Sequence, residues 1–574
     1  MVRGAARALA LAAVLAAVGL LPRLAGADPA LAVLRARSAE QEATPEALAA
    51  VRADLGLDGG PLALLGRWAA GVARGEFGDS WVSGTPVLPS VLSGLGVSLA
   101  LMGAALLVAL LLAAALSGPV LVRAARGDAE PRTGGGRLGA MLVAVPEFLL
   151  ATALLLVLGV WLRLLPTSGW RGPEYLVLPA LALGVPAGAL LGRLVADALP
   201  AVLGERWVGL WRASGTRPRL IGPALLRRVL PSLVPQFGLV AVGLVGGAVA
   251  VEAVFAVPGI GRTTLGAAKS QDLPLLQGAL LAMLLLGLLA GALARLAARE
   301  LTGPGLRDAA LALPPPPRPV RSRRVTAAAA LLAALLGAAV GWGLLRDPYT
   351  VDTGARLAPP SPRYPLGADG LGRDVLARLG HGAAATLGVA LAVCLVSYLV
   401  ALLLGFLPEL TGGLVDVANA LPPVIVGILV AAALGPGTAG ASIAVALVSW
   451  PPLAAHAASL VQETRAAGHL TAQRAVGATP WWILTRHVLP AVAGPVARHA
   501  VLRLPGIALA LASLGFLGLG AQPPAPEWGL LIDESRPYLE RAPWAALAPA
   551  VALALLSALA TTPAGLARPR GRRT

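Results

Sequence analysis

Long apolar runs recur along almost the whole chain and constrain its fold more than any other feature. Most of them reach the roughly 20 residues that an α-helix needs to cross about 30 Å of hydrocarbon. Hydrophobic residues make up 57% of the 574 residues and charged residues only 13%, which is not the balance of a water-soluble protein. The sequence therefore predicts an all-α polytopic membrane protein.

The apolar runs fall into two sets of six. The first half is predicted to span the membrane at residues 6–26, 91–122, 138–162, 175–199, 230–254 and 275–297. The second half is predicted to span it at residues 325–345, 383–407, 414–434, 439–460, 489–511 and 542–566. We expect two six-helix transmembrane domains, 1–300 and 325–574, that face each other around a pathway, as duplicated membrane folds do.

The charges between the runs predict the topology. Loops 123–137 and 204–228 carry four and six arginines against two acids and one, so both should face the cytoplasm. Segment 28–90 is richer in acids and should lie outside. An even number of helices then returns residues 301–324, a proline- and arginine-rich linker, to the cytoplasm together with the arginine-rich C-terminus.

The first apolar run also fits a secretory signal peptide, because residues 3–27 have a basic start, an apolar stretch and a small-residue end. In either interpretation the residues that follow lie outside. We expect a multi-pass protein of the plasma (inner) membrane, with both termini in the cytoplasm unless this segment is removed.

The residue composition excludes several classes of function. The net charge of +17 does not indicate nucleic-acid binding, because Lys269 is the only lysine and the arginines lie mostly in short loops between apolar runs. Cys394 is the only cysteine, so a disulfide within the chain is excluded. The histidines lack metal-ligand spacing, so we expect no metal site; they are His381, His456, His469, His487 and His499.

Enzyme motifs are absent as well. The chain has no G-x-x-x-x-G-K-[ST] sequence, and Lys269 lacks the glycine-rich context of a phosphate-binding loop. Neither H-E-x-x-H, G-x-S-x-G nor C-x-x-C occurs. We expect a protein that is not an enzyme and binds no cofactor, so that any catalysis belongs to its partners.

Each half has a long arginine-containing segment between its fourth and fifth predicted spans. In the second half, Ala472, Ala475 and Gly477 are small enough for a short helix to approach another protein closely, and Gly477 can end that helix. The first half has a similar segment at 205–231. The pattern indicates docking of a partner protein, with a solvated amphipathic loop as the alternative.

These two segments resemble the coupling helices, or EAA loops, of ABC importer permeases, which sit in clefts of the ATPase subunits. The leading glutamate of that motif is replaced here by Thr471 and Leu210. The resemblance implies ATPase coupling by the matching residues, which are Arg212, Ala213, Gly215, Ala472, Arg474 and Gly477.

Longer strings resemble the dipeptide/oligopeptide/nickel branch of these permeases. Strings similar to B-type subunits come first and strings similar to C-type subunits follow: 26–30, 44–62, 75–87 and 251–262, then 364–383 and 512–532. The resemblance implies a fused pair of permease subunits whose partners are two ABC ATPase subunits or domains, which use the ATP, and an extracytoplasmic substrate-binding protein. Dipeptides, oligopeptides, nickel complexes and other solutes all stay open as substrates.

Glycines and prolines interrupt the chain after the fifth span of each half. Non-helical backbone near membrane depth must be satisfied by protein or water, so these segments are expected at the outer mouth of the pathway, with an ordinary surface turn as the alternative. The residues are Pro258, Gly259, Gly261, Gly518, Gly520, Pro523 and Pro524. Glu252 and Asp416 lie at the edges of predicted spans. For each of them, a hydrated carboxylate at interfacial depth is a commoner explanation than direct contact with substrate.

Two other classes of function stay open at this point. An ion-coupled secondary carrier would need no ATPase but would need relay carboxylates within its spans, and the sequence offers few. A non-transporting membrane scaffold or sensor would bind cytoplasmic partners through the same loops.

Overall fold

The computed structural model describes most of the chain as helices joined by short loops, with no β-strand in the described parts. The described residues are 2–25, 30–31, 33–34, 44–55, 60–127, 139, 142–143, 145–302, 323–419 and 421–561.

The described part of the first half contains ten helices of eight or more residues, besides a four-residue helix, Leu21–Leu24. They are α1 (Val2–Gly19), α2 (Pro45–Asp54), α3 (Pro61–Arg74), α4 (Val87–Arg126), α5 (Glu147–Trp161), α6 (Glu174–Leu203), α7 (Arg206–Ala213), α8 (Pro218–Val254), α9 (Ile260–Lys269) and α10 (Leu273–Thr302). The last turns of α5 are π-helical, over Leu155–Trp161.

Nine helices make up the described part of the second half. They are α11 (Arg323–Leu344), α12 (Val375–Gly405), α13 (Pro408–Ala418), α14 (Pro423–Leu434), α15 (Thr438–Arg465), α16 (Gly468–Ala475), α17 (Pro480–Phe516), α18 (Trp528–Ser535) and α19 (Pro543–Thr561). A π-helical turn, Leu484–Val488, interrupts α17.

The twelve predicted spans all have helical counterparts. Within the described residues, eight helices are long and apolar enough to cross a membrane, and four shorter apolar helices complete the set. The prediction of an all-α polytopic membrane protein is therefore confirmed. The predicted linker between the two domains, residues 301–324, lies mostly outside the described residues.

Proline divides or shortens two of the predicted spans. The span predicted at 414–434 is divided into α13 and α14, since Pro422 takes an extended conformation (φ −62°, ψ 140°) directly before α14. In the first half, α5 likewise begins only after Pro146, so the predicted start at 138 is too early for this helix. Most residues between 138 and 144 lie outside the described part.

Small residues bring α4 and α6 into close contact. Glycines at every fourth position of α6 face alanines at every fourth position of α4: Gly184 faces Ala105, Gly188 faces Ala109 and Gly192 faces Ala113. A Cβ atom on Gly188 would lie only 2.6 Å from the carbonyl oxygen of Ala109. In a membrane, where hydrophobic burial does not drive helix association, such backbone approach supplies the packing energy.

The main hydrophobic core is shared by the two halves. Its buried residues come from α4, α8 and α10 of the first half and from α12, α14 and α17 of the second. In addition, α1 packs against α13, and α9 packs against α14. The two halves therefore form one body around a common interior.

Candidate functional site

The short helices α7 and α16 occupy equivalent places in the two halves, each between the fourth and fifth membrane helices. Each is eight residues long and each buries one apolar residue at the same position, Val208 or Leu470. Two residues beyond each helix, Gly215 (φ +71°) and Gly477 (φ +88°) turn the chain in the left-handed conformation that favours glycine.

Polar contacts hold α7 against the first half. Arg212 Nη2 donates to the carbonyl oxygen of Ala124 at the end of α4 (2.5 Å). Glu205, directly before α7, accepts from Trp207 Nε1 (2.7 Å) and pairs with Arg228 (2.8 Å). These contacts fix the orientation of α7 relative to the membrane helices.

The opposite faces of the two short helices are exposed. All six residues that the resemblance assigned to coupling are exposed, although the guanidinium of Arg212 also reaches back to α4: Arg212, Ala213, Gly215, Ala472, Arg474 and Gly477. Large apolar side chains stand beside them, with Leu210 68% exposed, Val476 79% exposed and Trp481 73% exposed. Apolar groups exposed at a membrane-helix end are typical of a surface that another protein covers.

At the other end of the bundle, a buried carboxylate joins three elements of the first half. The 37-residue helix α8 begins beside α7, so its last turn lies about 55 Å away. There Glu252 is fully buried, accepts from Ser98 Oγ of α4 (2.5 Å) and accepts from the backbone N–H of Arg262 in α9 (3.0 Å). The expectation of a hydrated carboxylate at Glu252 is therefore wrong, because protein donors replace water around it.

The second half builds the same arrangement from a different position in the chain. Glu527 is only 8% exposed, caps α18 by accepting from the N–H groups of Gly529 and Leu530 (both 2.9 Å), and contacts Thr386 Oγ1 of α12 (3.3 Å). Burial raises the pKa of the Glu527 carboxyl above its ordinary value of 4.5.

Glycine lets both short end helices approach the membrane helices. Gly94 of α4 lies one turn before Ser98 and faces the backbone at the start of α9. Gly382 of α12 lies one turn before Thr386 and faces the backbone at the start of α18. Gly259 packs against the Glu252 carboxylate, and a Cβ on Gly261 would lie 2.7 Å from Val249 Cα. A side chain at any of these positions would push the end helix away.

The other interrupting residues lie in the loops that lead into α9 and α18. Pro258, Pro523 and Pro524 are exposed, whereas Gly520 is buried. Gly518 (φ +75°) lies against the first half, because a Cβ there would be 3.2 Å from Lys269 Nζ. Gly518 thus stands where the two halves meet, at the end opposite α7 and α16.

A buried ion-pair network ties α18 to the start of α12. Arg378 is 1% exposed and donates to Asp369 Oδ2 (2.8 Å) and Glu534 Oε2 (2.6 Å). Arg373 pairs with the same two carboxylates, at 2.7 and 3.0 Å. Three of the four charges lie within the 364–383 string, but Glu534 follows Arg378 by 156 residues, so the sequence did not predict that folding would pair them.

Aromatic and basic side chains join the halves at this end. The rings of Phe148 (α5) and Phe516 (α17) lie 5.2 Å apart, and the guanidinium of Arg536 lies 5.5 Å from the Phe516 ring. Arg536 also donates to the carbonyl oxygen of Ala253 in α8 (3.4 Å). Burial raises the pKa of the nearby Asp533, and the charges of Arg536 and Lys269 limit the rise. The contacts of Phe148 with Phe516 and of Arg536 with Ala253 bridge the two halves at this end.

A cavity of about 620 Å³ lies between the halves, beneath the phenylalanine pair. Its walls are formed by α5, α6 and α8 of the first half and by α14 and α17 of the second, and it extends from Phe148 toward Leu194 and Gln236, on the side of α7. Volumes of roughly 300–1,000 Å³ are typical of sites for small molecules. The sequence interpretation missed one lining residue, Glu147; an acid inside a predicted apolar span was the available signal.

The remaining candidates from the sequence do not join this site. Asp416 lies in α13, but its side chain is outside the described part. Histidine rings meet in two pairs, His456 with His499 (4.8 Å) and His469 with His487 (5.9 Å). Among the described residues, no group of three or more metal-binding side chains comes together.

Two six-helix halves around a shared cavity, each with an exposed short helix at one end, define a helical membrane transport protein. Residues 135–302 and 373–573 both match the family described as the inner membrane component of binding-protein-dependent transport systems. The chain belongs to this family and carries its domain twice, as a fused permease pair of the inner membrane.

Curated relatives resemble part of the chain. The di/tripeptide transport system permease protein DppC of Pseudomonas aeruginosa is 37% identical over 217 residues, which are 35% of this chain and 72% of the relative. The glutathione transport system permease protein GsiD of Pectobacterium atrosepticum is 32% identical over 237 residues, 39% of this chain and 79% of the relative. The peptide transport system permease protein SapC of Escherichia coli is 36% identical over 217 residues, which are 35% of this chain and 73% of the relative.

Proposed function

We propose that this chain supplies both transmembrane domains of an ATP-driven importer and forms the translocation pathway for peptides or related small solutes. The observation that carries the proposal is the cavity between the halves, bounded at one end by Phe148, which packs against Phe516, and extending toward the end that bears α7 and α16. The names of the relatives support peptides as the substrate class.

Two ATPase subunits are the proposed partners at the exposed faces of α7 and α16. Nucleotide binding can drive transport only if the ATPases favour one arrangement of the pathway over the other. Each short helix is suited to transmit such movement, because it is joined to the fifth membrane helix of its half by a tight glycine turn at Gly215 or Gly477. ATP hydrolysis belongs to the partners.

The arginine-rich loops support a cytoplasmic position for α7, α16 and both chain termini. The opposite end, with α9 and α18, then faces outward and receives solute from an extracytoplasmic binding protein. In this orientation the cavity faces the cytoplasm, and the contacts of Arg536 with Phe516 and Ala253 close the outer mouth.

The proposal is tested by reconstituting the chain in lipid vesicles with its ATPases and its binding protein. We expect uptake of a labelled dipeptide that requires ATP, the ATPases and the binding protein. Uptake by the chain alone in a proton or sodium gradient would instead identify an ion-coupled carrier. Binding of partners without any solute movement, and without stimulation of ATP hydrolysis by the binding protein, would identify a scaffold.

A further inference from the structure

The central cavity contains one ionisable side chain among its described lining residues, that of Glu147. Most of the wall is apolar, and the other polar side chains are those of Gln236 and Ser513. Glu147 is half-buried, and within the described part of the chain its carboxylate makes no ion pair. The ionised form of a carboxyl group in such surroundings is stabilised when a positively charged group lies beside it.

Helix geometry alone does not account for Glu147. It is the first residue of α5 and follows Pro146 (φ −62°, ψ 152°), just as Pro423 is the first residue of α14 and follows Pro422 (φ −62°, ψ 140°). The equivalent helix of the second half, α14, therefore begins without a carboxylate. A negative charge at a helix start is stabilising, but here only one of two equivalent helices has it.

Successive glycines of α8 position this carboxylate at the meeting of the halves. A Cβ on Gly247 would lie 3.1 Å from Glu147 Oε1, and a Cβ on Gly246 would lie 2.7 Å from Pro422 of the second half. Glu147 therefore lies against the glycine face of α8, beside the second half, where a solute crossing the cavity passes between the two domains.

We propose that Glu147 determines the charge specificity of the cavity by binding the ammonium group of the solute. This inference rests on the proposed function and deepens it: the pathway takes solutes with a primary ammonium group, such as the free N-terminus of a peptide, in preference to neutral or anionic analogues. The interaction is that of opposite charges in a half-buried site with mostly apolar walls, where it is stronger than in bulk water.

The test measures the electrostatics of the cavity without requiring transport. Leu509, which lines the cavity, is replaced by cysteine in a full-length chain that carries Cys394→Ser, so that the reporter is the only thiol. Its reaction rates with an ammonium-bearing and a sulfonate-bearing methanethiosulfonate are then compared in lipid nanodiscs. We expect the ratio of cationic to anionic rates to fall about tenfold in Glu147→Gln and to be retained in Glu147→Asp.

Glu174→Gln is the matched control, because Glu174 is also an acid in the first turn of a membrane helix but is exposed and does not line the cavity. The rate ratio should not change in this variant. A second reporter at Gly506, an exposed lining residue, replaces Leu509 if the first thiol is unreactive. An equal ratio in wild type and Glu147→Gln, at a reactive reporter, overturns the proposal.

A second measurement separates the solute classes in the reconstituted importer. Uptake of a labelled dipeptide should exceed uptake of its N-acetylated form in wild type, and Glu147→Gln should reduce this preference at least severalfold while Glu174→Gln keeps it. A preference that persists unchanged in Glu147→Gln places ammonium recognition elsewhere and contradicts the inference, although ATP-driven uptake still supports the proposed function. Absence of uptake in wild type contradicts the proposed function, while the thiol rates still test Glu147.

Discussion

Glu252 and Glu527 perform the same structural task from different positions in the sequence. Each is buried, each receives backbone N–H groups from the start of an end helix, and each contacts a hydroxyl on the second membrane helix of its half, Ser98 or Thr386. The sequence indicated that Glu252 was unusual but not what it bonds, because Ser98 lies 154 residues away and the Arg262 N–H reaches Glu252 only through the fold of the loop between them. Glu527 was not singled out, because it follows a proline-rich loop rather than an apolar run.

Replacing Glu252 by alanine should destabilise the first half. The variant leaves Ser98 Oγ and the Arg262 N–H without their buried acceptor, which costs about 2–4 kcal/mol. We expect a lower midpoint of thermal unfolding in detergent, measured by tryptophan fluorescence. Alanine at the exposed Glu174 is the control; equal midpoints for both variants would show that the buried contacts contribute nothing.

Glu527 should make stability depend on pH. Burial raises its pKa above 4.5 in the folded protein, so its contribution to stability is complete below that pH and is lost as the pH rises and the buried carboxyl must ionise. The unfolding midpoint of wild type, compared with that of Glu527→Gln, should therefore fall as the pH rises above 4.5. A difference that stays constant with rising pH, or grows, would contradict the assigned direction.

At the scale of elements, the turns after α7 and α16 carry the coupling proposal. Gly215 and Gly477 both have positive φ, and a Cβ at either position would meet no atom within 4 Å. Alanine at both positions thus adds backbone strain of about 1–2 kcal/mol at each turn without a clash. We expect the double variant to insert normally and to lose most ATP-dependent uptake, because the short helices no longer keep their orientation.

Gly209 and Gly468 provide matched controls for that variant. They lie within the same two helices, have no positive φ, and would also accept a Cβ without a contact. Alanine at both should leave uptake close to wild type. Normal uptake by a well-expressed Gly215→Ala, Gly477→Ala chain would exclude these turns from coupling.

The glycine seam between α4 and α6 gives a prediction about packing. Valine at Gly188 would press its side chain against the Ala109 backbone, separating the helices or forcing them to shift, at about 2–4 kcal/mol. The yield of folded protein and its unfolding midpoint should fall clearly below those of Gly103→Val, a position on α4 where a Cβ meets nothing within 4 Å. Equal values would mean that the close approach does not stabilise the pair.

Hydrophobicity was sufficient to predict the number and order of the membrane helices. A segment that crosses the bilayer must satisfy its backbone hydrogen bonds internally, and an α-helix does so. Hydrophobicity could not predict the break before α14 or the late start of α5, where Pro422 and Pro146 divide runs that remain apolar throughout. The short helices α7 and α16 were predicted from small residues and glycine, whereas the position of Glu147 in the cavity depends on five helices from both halves.

One chain supplies both halves of a single fold. The halves share one hydrophobic core, meet through Phe148 and Phe516, and line a common cavity. Each half has its own short helix with an exposed face, and in the proposed function these two faces are the docking places for two ATPases. Two separate permease subunits would otherwise be needed to form the same assembly.

The most direct test is the stoichiometry of the assembled complex, measured by native mass spectrometry after purification through a tag on this chain. We predict one copy of the chain with two ATPase subunits. Two copies of the chain with two ATPase subunits, so that each chain contributes only half of the pathway, would contradict the account.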